Sequence, residues 1–373
     1  MMQALKGIKV LDFSTLLPGP MATLLLAEAG AEVLKIERPG SGDEMRGYTP
    51  KFGSDSVNFS LLNRGKKSIA IDLKSEEERA RLDLLLRDAD VLVEQFRPGV
   101  MHRLGLDYET LARINPRLIY CSITGYGQTG PLAQVAAHDL NYLAETGMLG
   151  LSRGADGAPV LPPALIADIG GGAYPAVMNI LLALQNRTHT GQGCHLDISM
   201  ADNLFPFMYW GLGNGWSEGQ WPSPGAELVT GSTPRYQIYR TSDGRYLAAA
   251  PLEDKFWHTF LELINIRQDA LSKDDAEAIR QVAAVIAQQP ARYWLEKFKD
   301  RDVCTVLVAD LKEAVQHPHF IERGLFQEIL KDGEGRSIPA LPVPICALFR
   351  QSVPAASPVL GESNKLLVEG QKS

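Results

Sequence analysis

The sequence predicts an α/β protein: a doubly wound parallel sheet joined to a second, smaller domain. Three observations carry this. Short apolar strand runs alternate with helix signals through the first half of the chain. A stretch rich in Gly, Pro, Ser and Trp, without a clean period, fills residues 211–233. Beyond it, a hairpin pattern and further amphipathic helices need a core of their own.

The elements follow in order. Residues 8–13 read as a buried strand, 21–29 as a helix ended by Gly30, and 32–37 as the next strand. Residues 68–73 are a third strand. Ser75 and Glu78 then form a capping box before an amphipathic helix over 79–88. Strands at 91–94 and 118–124 complete the series, and an apolar helix spans 173–184. In the second half, residues 236–251 form a hairpin turning at Ser242-Asp243-Gly244. Helices follow over 256–263, 274–287 and 290–299. The expected division is 1–205 for the first part of the large domain, 206–233 as linker and 234–325 as small domain. The Pro-rich tail, 326–373, returns to the large domain as an edge element.

At 373 residues and 45% hydrophobic, the chain can bury one large core or two modest ones. A net charge of -7 argues against nucleic acid or an anionic membrane surface as the main partner. It leaves room for a local basic pocket. Cys121, Cys194, Cys304 and Cys346 are scattered without a CxxC, as expected for reduced thiols. The N-terminus lacks the plan of a signal peptide, and no apolar run reads as long enough to span a bilayer. The expectation is a cytoplasmic enzyme. The histidines lack metal-ligand spacing, so no metal is expected.

The chemistry concentrates in two places. Asp168 leads Gly170-Gly171-Gly172 into the apolar helix, and upstream lies His138-Asp139-Leu140-Asn141-Tyr142. Glycines let a ligand approach the backbone, and free N–H groups at a helix start favour developing negative charge. Ordinary capping by Asp139 or Asp168 is the alternative, as is a hydrogen-bonded loop histidine. Capping alone does not require three glycines, each of which weakens a helix by up to roughly 1 kcal/mol. Glu253 has the plainer role of starting a helix at Asp254.

Arg38, Lys74, Arg97 and Arg103 follow successive strands. In a doubly wound sheet such loops share one rim, and several cations there suit a ligand with several phosphates. Scattered solvated charge is the alternative. The basic run Asn63-Arg64-Gly65-Lys66-Lys67 precedes the third strand. Leu17-Pro18-Gly19-Pro20 stands where a phosphate turn would, but lacks the full GxGxxG, so a tight structural turn suits it equally.

Several segments together resemble the family III CoA-transferase/racemase superfamily, and its α-methylacyl-CoA racemase branch in particular. They are residues 5–12, Glu37-Arg38-Pro39, residues 63–68, Phe96-Arg97-Pro98-Gly99, residues 124–131, residues 138–142 and residues 168–172. The resemblance implies a Rossmann-like large domain built from both chain ends, a smaller α+β domain, and an interlocked homodimer. It implies an acyl-CoA substrate with coenzyme A as part of the thioester and no prosthetic group. His138 and Asp168 match the two catalytic acid/base groups, and Glu253 a carboxylate supporting the histidine. Coenzyme A contacts carry over to Arg38, Ile71, Asp72, Leu73, Lys74, Gln95, Phe96, Arg97, Arg103, Ala137, Asp139, Leu140, Asn141 and Tyr142. Two departures stand out. Gln95 replaces the usual Asn or Gly, and Ala137 the usual Gly, which adds a methyl near the thioester. In the transferase branch the residue matching Asp168 is a nucleophile; the glycine-rich loop of that branch is weakly represented by Gly231-Ser232-Thr233. Met208, Trp210, Trp216 and Trp221 suggest an apolar acyl surface or a packing role.

Overall fold

The computed structural model describes residues 4–154, 156–350 and 354–369. Six strands form one sheet: β1 (Lys9–Asp12), β2 (Glu32–Glu37), β3 (Lys67–Ala70), β4 (Val91–Glu94), β5 (Ile119–Thr124) and β6 (Cys194–Ser199). Every pairing is parallel, in the spatial order β3-β2-β1-β4-β5-β6. The expected parallel sheet is present, and its order reverses between β1 and β4. A crevice opens at such a reversal, beyond the carboxyl ends of the strands. Leu11, Ile36, Ile69, Leu92 and Tyr120 carry one face of the sheet into its core.

Local chemistry explains where the elements depart from expectation. Helix α1 (Pro18–Glu28) begins at Pro18 rather than at residue 21, because proline is tolerated in a first turn where its missing N–H goes unneeded. The helix expected over 79–88 is two short ones, Glu76–Ala80 and Asp83–Asp88. Between them Arg81 and Leu82 donate to Glu78 and Arg79, three residues back, and the tightened turn buries Leu82. Strand β6 escaped the sequence reading because its edge position leaves His195 and Asp197 exposed.

Helix α2 (Asp139–Glu145) follows β5. The apolar helix is longer than expected. A π-helical turn, Ala167–Ala173, runs directly into α3 (Tyr174–Thr190). The combined 24 residues, with a mean hydropathy of 1.3 in their most apolar stretch, are long and apolar enough to cross a membrane by length and composition. That corrects the expectation that no run was. Ala176, Ile180 and Ala183 are buried where α3 packs on β5, β6 and α1, while Met178 and Leu182 stand exposed.

Two compact units result: residues 1–146, 161–207 and 322–373 in one, residues 147–160 and 208–321 in the other. In the first, the C-terminal tail forms a two-stranded antiparallel ribbon, Ile329–Lys331 with Ser337–Pro339, and then runs beside β3 at Ser363 and Asn364. Ser363 donates to the Ser68 carbonyl at 2.9 Å, and the Asn364 side chain accepts from Ala70 N at 2.8 Å. The second unit holds the antiparallel strands β7 (Gln237–Arg240), β8 (Tyr246–Ala249) and β9 (Thr305–Leu307). Trp257, Phe260, Val282, Trp294 and Phe298 fill its core. Residues 209–218, expected to be irregular, form the helix Tyr209–Glu218. Three glycines hid it by lowering helix propensity. Two of them serve packing: a Cβ on Gly211 would lie 2.7 Å from Pro222 Cγ, and one on Gly215 2.5 Å from Trp221 Cε3.

Candidate active site

A cavity of about 270 Å³ opens at the carboxyl rim, beside the reversal of strand order. Leu16 and Pro18 border it after β1, Gln95, Phe96, Arg97 and Pro98 after β4, Gly125 and Tyr126 after β5, and Met200 after β6. Ala137, His138, Tyr142 and Asp168 close it.

The wall after β1 rests on a buried ionic network. Asp12, Lys35, Asp43 and Lys66 have fully buried side chains. Lys35 Nζ lies 3.0 Å from Asp43 and donates to the Ser14 carbonyl at 2.7 Å. Lys66 Nζ reaches Asp12 at 3.1 Å, Thr23 at 2.7 Å and Asn63 at 2.8 Å. Burial opposes ionisation of Asp12, but Lys66 and Lys35 outweigh it and hold the carboxyl well below its usual range. Burial pulls Lys66 down to about 8. Asp43 accepts the Leu16 N–H at 3.1 Å, and Leu16 sits at φ 63°, a left-handed backbone that a leucine adopts at a cost. The basic run before β3 is therefore partly internal. Arg64 and Lys66 are buried, Arg64 against Glu28 and Lys66 in this network, and neither is free for a ligand.

The wall after β4 is held from both sides. Gln95 Oε1 accepts the Gly19 N–H at 3.0 Å, and a Cβ at Gly19 would collide with Ser14 and reach within 2.9 Å of that oxygen. Gly19 thus sits in the first turn of α1, where Ser14 and Gln95 leave no room for a side chain. Arg97 is exposed beside the cavity.

His138 caps α2 with its backbone, not its ring. Asn141 Oδ1 accepts the His138 N–H at 3.0 Å, and within the described residues of this unit no hydrogen bond engages the imidazole, which stands exposed at the cavity. Asp139 turns inward. Its carboxylate is buried and accepts the Asp168 N–H at 2.9 Å, with further support from the amides of Ala167 and Ile166. Asp168 is therefore not a cap: it stands on the widened π turn and borders the cavity. Such turns recur at functional sites. Burial, reinforced by negative Asp139, pushes the Asp168 carboxyl up to about 7.

The helix-start amides of Asp168, Ala167 and Ile166 are taken by Asp139. The glycine run that follows also serves close packing. A Cβ at Gly171 would fall on the Met200 carbonyl, and one at Gly170 would lie 2.7 Å from Phe207 Cζ.

The remaining expected residues, Tyr142 apart, lie outside the cavity wall. Arg38 donates to the Gly42 carbonyl at 3.0 Å and pairs with Glu44 at 3.1 Å. Ile71 is buried, Leu73 half-buried, and Asp72 and Lys74 exposed on the turn after β3, where Asp72 accepts the Lys74 N–H at 2.9 Å. Arg103 is exposed near Gly99. Leu140 is exposed, and Asn141 serves as the cap partner above. Tyr142 lends its ring to the wall while its hydroxyl donates to the Ala137 carbonyl at 2.9 Å. Glu253 belongs to the second unit, exposed at the start of helix Asp254–Leu263.

Thr124 and Tyr126 lie in the segment 124–131 that carries the resemblance but were not among the expected site residues. Thr124 borders the cavity, and its buried hydroxyl has no hydrogen-bond partner among the described residues. Tyr126 meets Tyr142 edge to face, centroids 5.2 Å apart. Their place at the end of β5 and in the Gly-rich loop directly after it was the available signal.

Fold and cavity together define a doubly wound α/β enzyme with its cleft at the strand-order reversal. The profile described as CoA-transferase family III matches residues 5–364, and the chain belongs to that family. It is 34% identical to the alpha-methylacyl-CoA racemase of Homo sapiens, over 98% of this chain and 93% of that one. It is also 34% identical to the acetyl-CoA:oxalate CoA-transferase of Acetobacter aceti, over 97% and 94%. Among solved structures, a CAIB/BAIF family protein from Brucella suis superposes with a TM-score of 0.83 at 30% identity, covering 98% of each chain.

Proposed function

We propose that this protein is an acyl-CoA racemase or epimerase acting at the α carbon of a 2-methyl-branched or related acyl-CoA thioester. The observation that carries the reading is that His138 and Asp168 border one cavity, with the Asp168 carboxyl near neutrality. A proton donor and acceptor works best when its pKa lies near the working pH. One group takes the α proton, the C–H electrons pass into the thioester as an enolate, and the other group returns a proton to the opposite face. The two groups exchange protonation states, and no external reagent is consumed. The likeness to the human racemase supports this reading.

On the family resemblance, Glu253 supports His138, and Arg38, Lys74, Arg97 and Arg103 meet the phosphates of coenzyme A. The same resemblance makes the working form an interlocked homodimer, which light scattering in solution tests.

A second reading, CoA transfer between an acyl-CoA and a carboxylic acid, is favoured by the equal identity to the oxalate transferase. There the Asp168 carboxylate attacks the thioester carbonyl and releases the CoA thiolate, leaving an acyl anhydride.

Solvent deuterium uptake decides between them. Wild-type protein is expected to place deuterium at the α carbon of a 2-methylacyl-CoA without any acceptor acid. His138→Ala and Asp168→Ala each should slow exchange about 10²–10⁴-fold. Undiminished exchange in both variants removes the racemase reading. Acceptor-dependent turnover with a hydroxylamine-trapped adduct on Asp168 establishes the transferase.

A further inference from the structure

Asp12 and Glu94 end neighbouring strands at the reversal of strand order, and each folds its carboxyl back onto its own turn. Asp12 accepts the Ser14 N–H at 3.0 Å, and Glu94 Oε2 accepts the Phe96 N–H at 2.8 Å. Their surroundings differ. Asp12 sits among lysines. Glu94, 3% exposed, has no cation against it among the described residues. Burial pushes its carboxyl up to about 7, opposed by the Ser122 hydroxyl and the Phe96 amide and aided by Asp197.

A second cavity of about 390 Å³ lies against Glu94, and Arg97 and Pro98 border both cavities. Glu94 pairs with Ser122 across β4 and β5, and Ser122 with Asp197 across β5 and β6, so these side chains share one face of the sheet. Ser122 Oγ and His195 Nε2 are 2.9 Å apart. The His195 ring stacks on Tyr108 with centroids 5.5 Å apart, at the exposed sheet edge. Arg97, His102, Asp107, Glu109 and Tyr120 are the other charged or titratable groups around this cavity.

We propose that Glu94 is a positioning residue for thioester binding: by holding the Phe96 N–H it fixes the Gln95-Phe96-Arg97 wall of the His138–Asp168 cavity, and it exchanges its proton with solvent through Ser122 and His195. The role rests on the reading that this cavity takes a CoA thioester. In the transfer, the carboxyl proton passes to Ser122 Oγ while the Ser122 proton passes to His195 Nε2. A carboxylate and an imidazolium remain, and the latter sheds its Nδ1 proton to water. A carboxylate accepts an amide hydrogen bond more strongly than a carboxylic acid does. The wall is accordingly firmer, and CoA binding tighter, once Glu94 has ionised.

Titration calorimetry with free CoA at pH 6 and pH 8 tests this on the full chain. Wild type is expected to bind more tightly at pH 8. Glu94→Ala should weaken binding about tenfold at both pH values, as loss of a buried acceptor does. Glu94→Gln keeps an oxygen for Phe96, so it should match wild type at pH 6 and lose the gain at pH 8. Asp168 titrates in both wild type and Glu94→Gln, so the difference between them isolates Glu94. A Glu94→Ala protein that melts and binds like wild type overturns the proposal. Where Glu94→Ala does not fold, a Glu94→Gln protein that keeps the full pH gain overturns it. Wild-type protein with no CoA affinity overturns the thioester reading itself.

Discussion

Asp139 Oδ1 accepts the backbone N–H of Asp168 at 2.9 Å, so one carboxylate anchors the helical turn that presents the other. The same proximity makes Asp139 the charge that helps hold Asp168 near neutrality. Asp139→Asn keeps an acceptor oxygen and removes the charge. The Asp168 carboxyl then ionises at lower pH, and the limb of the pH–rate profile that it governs should move to lower pH. Asp139→Ala also strands buried amides, at about 1–3 kcal/mol. Urea unfolding measures the second effect, and an unmoved limb in Asp139→Asn sinks the first.

Asp168 itself should cost stability as pH rises. Its carboxyl titrates near 3.8 when unperturbed and near 7 in the fold. Between those values the folded state holds a proton that the unfolded chain has released, so stability falls as pH climbs through about 7. Asp168→Asn removes the titration. Its melting temperature should stand close to wild type at pH 4 and clearly above it at pH 8. A gap independent of pH contradicts this account.

The parallel sheet was legible because its strands are continuous apolar runs between turn residues, as at Val91–Glu94. Edge strand β6 was not, since the exposed His195 and Asp197 interrupt its apolar run. Among site residues, His138 and Asp168 were readable as unusual polar groups beside a helix start. The duty of Asp139 was not readable, because a contact across 29 positions leaves no local pattern. Nor was the burial of Lys66, which looks like any surface lysine until Asp12 and Thr23 surround it.

Two glycines in helices should respond oppositely to alanine. Gly171 has no room: its Cβ would meet the backbone carbonyl of Met200, which cannot swing away like a side-chain tip. Gly171→Ala should cost about 1–3 kcal/mol and disturb the turn that carries Asp168. Gly213, in helix Tyr209–Glu218, has open space around it. Gly213→Ala should stabilise by about 0.5–1 kcal/mol through helix propensity. Chemical denaturation of both variants checks the pair, and equal effects refute the packing argument.

Lys35 and Asp43 form an ion pair with both side chains fully buried, 3.0 Å apart. Removing one partner leaves the other charge without compensation, typically at about 3–5 kcal/mol. Lys35→Met should therefore be severely destabilising. Asp43 also holds the Leu16 N–H on the cavity wall, so the damage extends to the site. Adding Asp43→Asn to Lys35→Met removes the stranded charge while keeping an oxygen for Leu16. The double variant should regain much of the lost stability and more CoA affinity than stability alone accounts for. Strict additivity of the two substitutions in urea unfolding would show that the pair is not coupled.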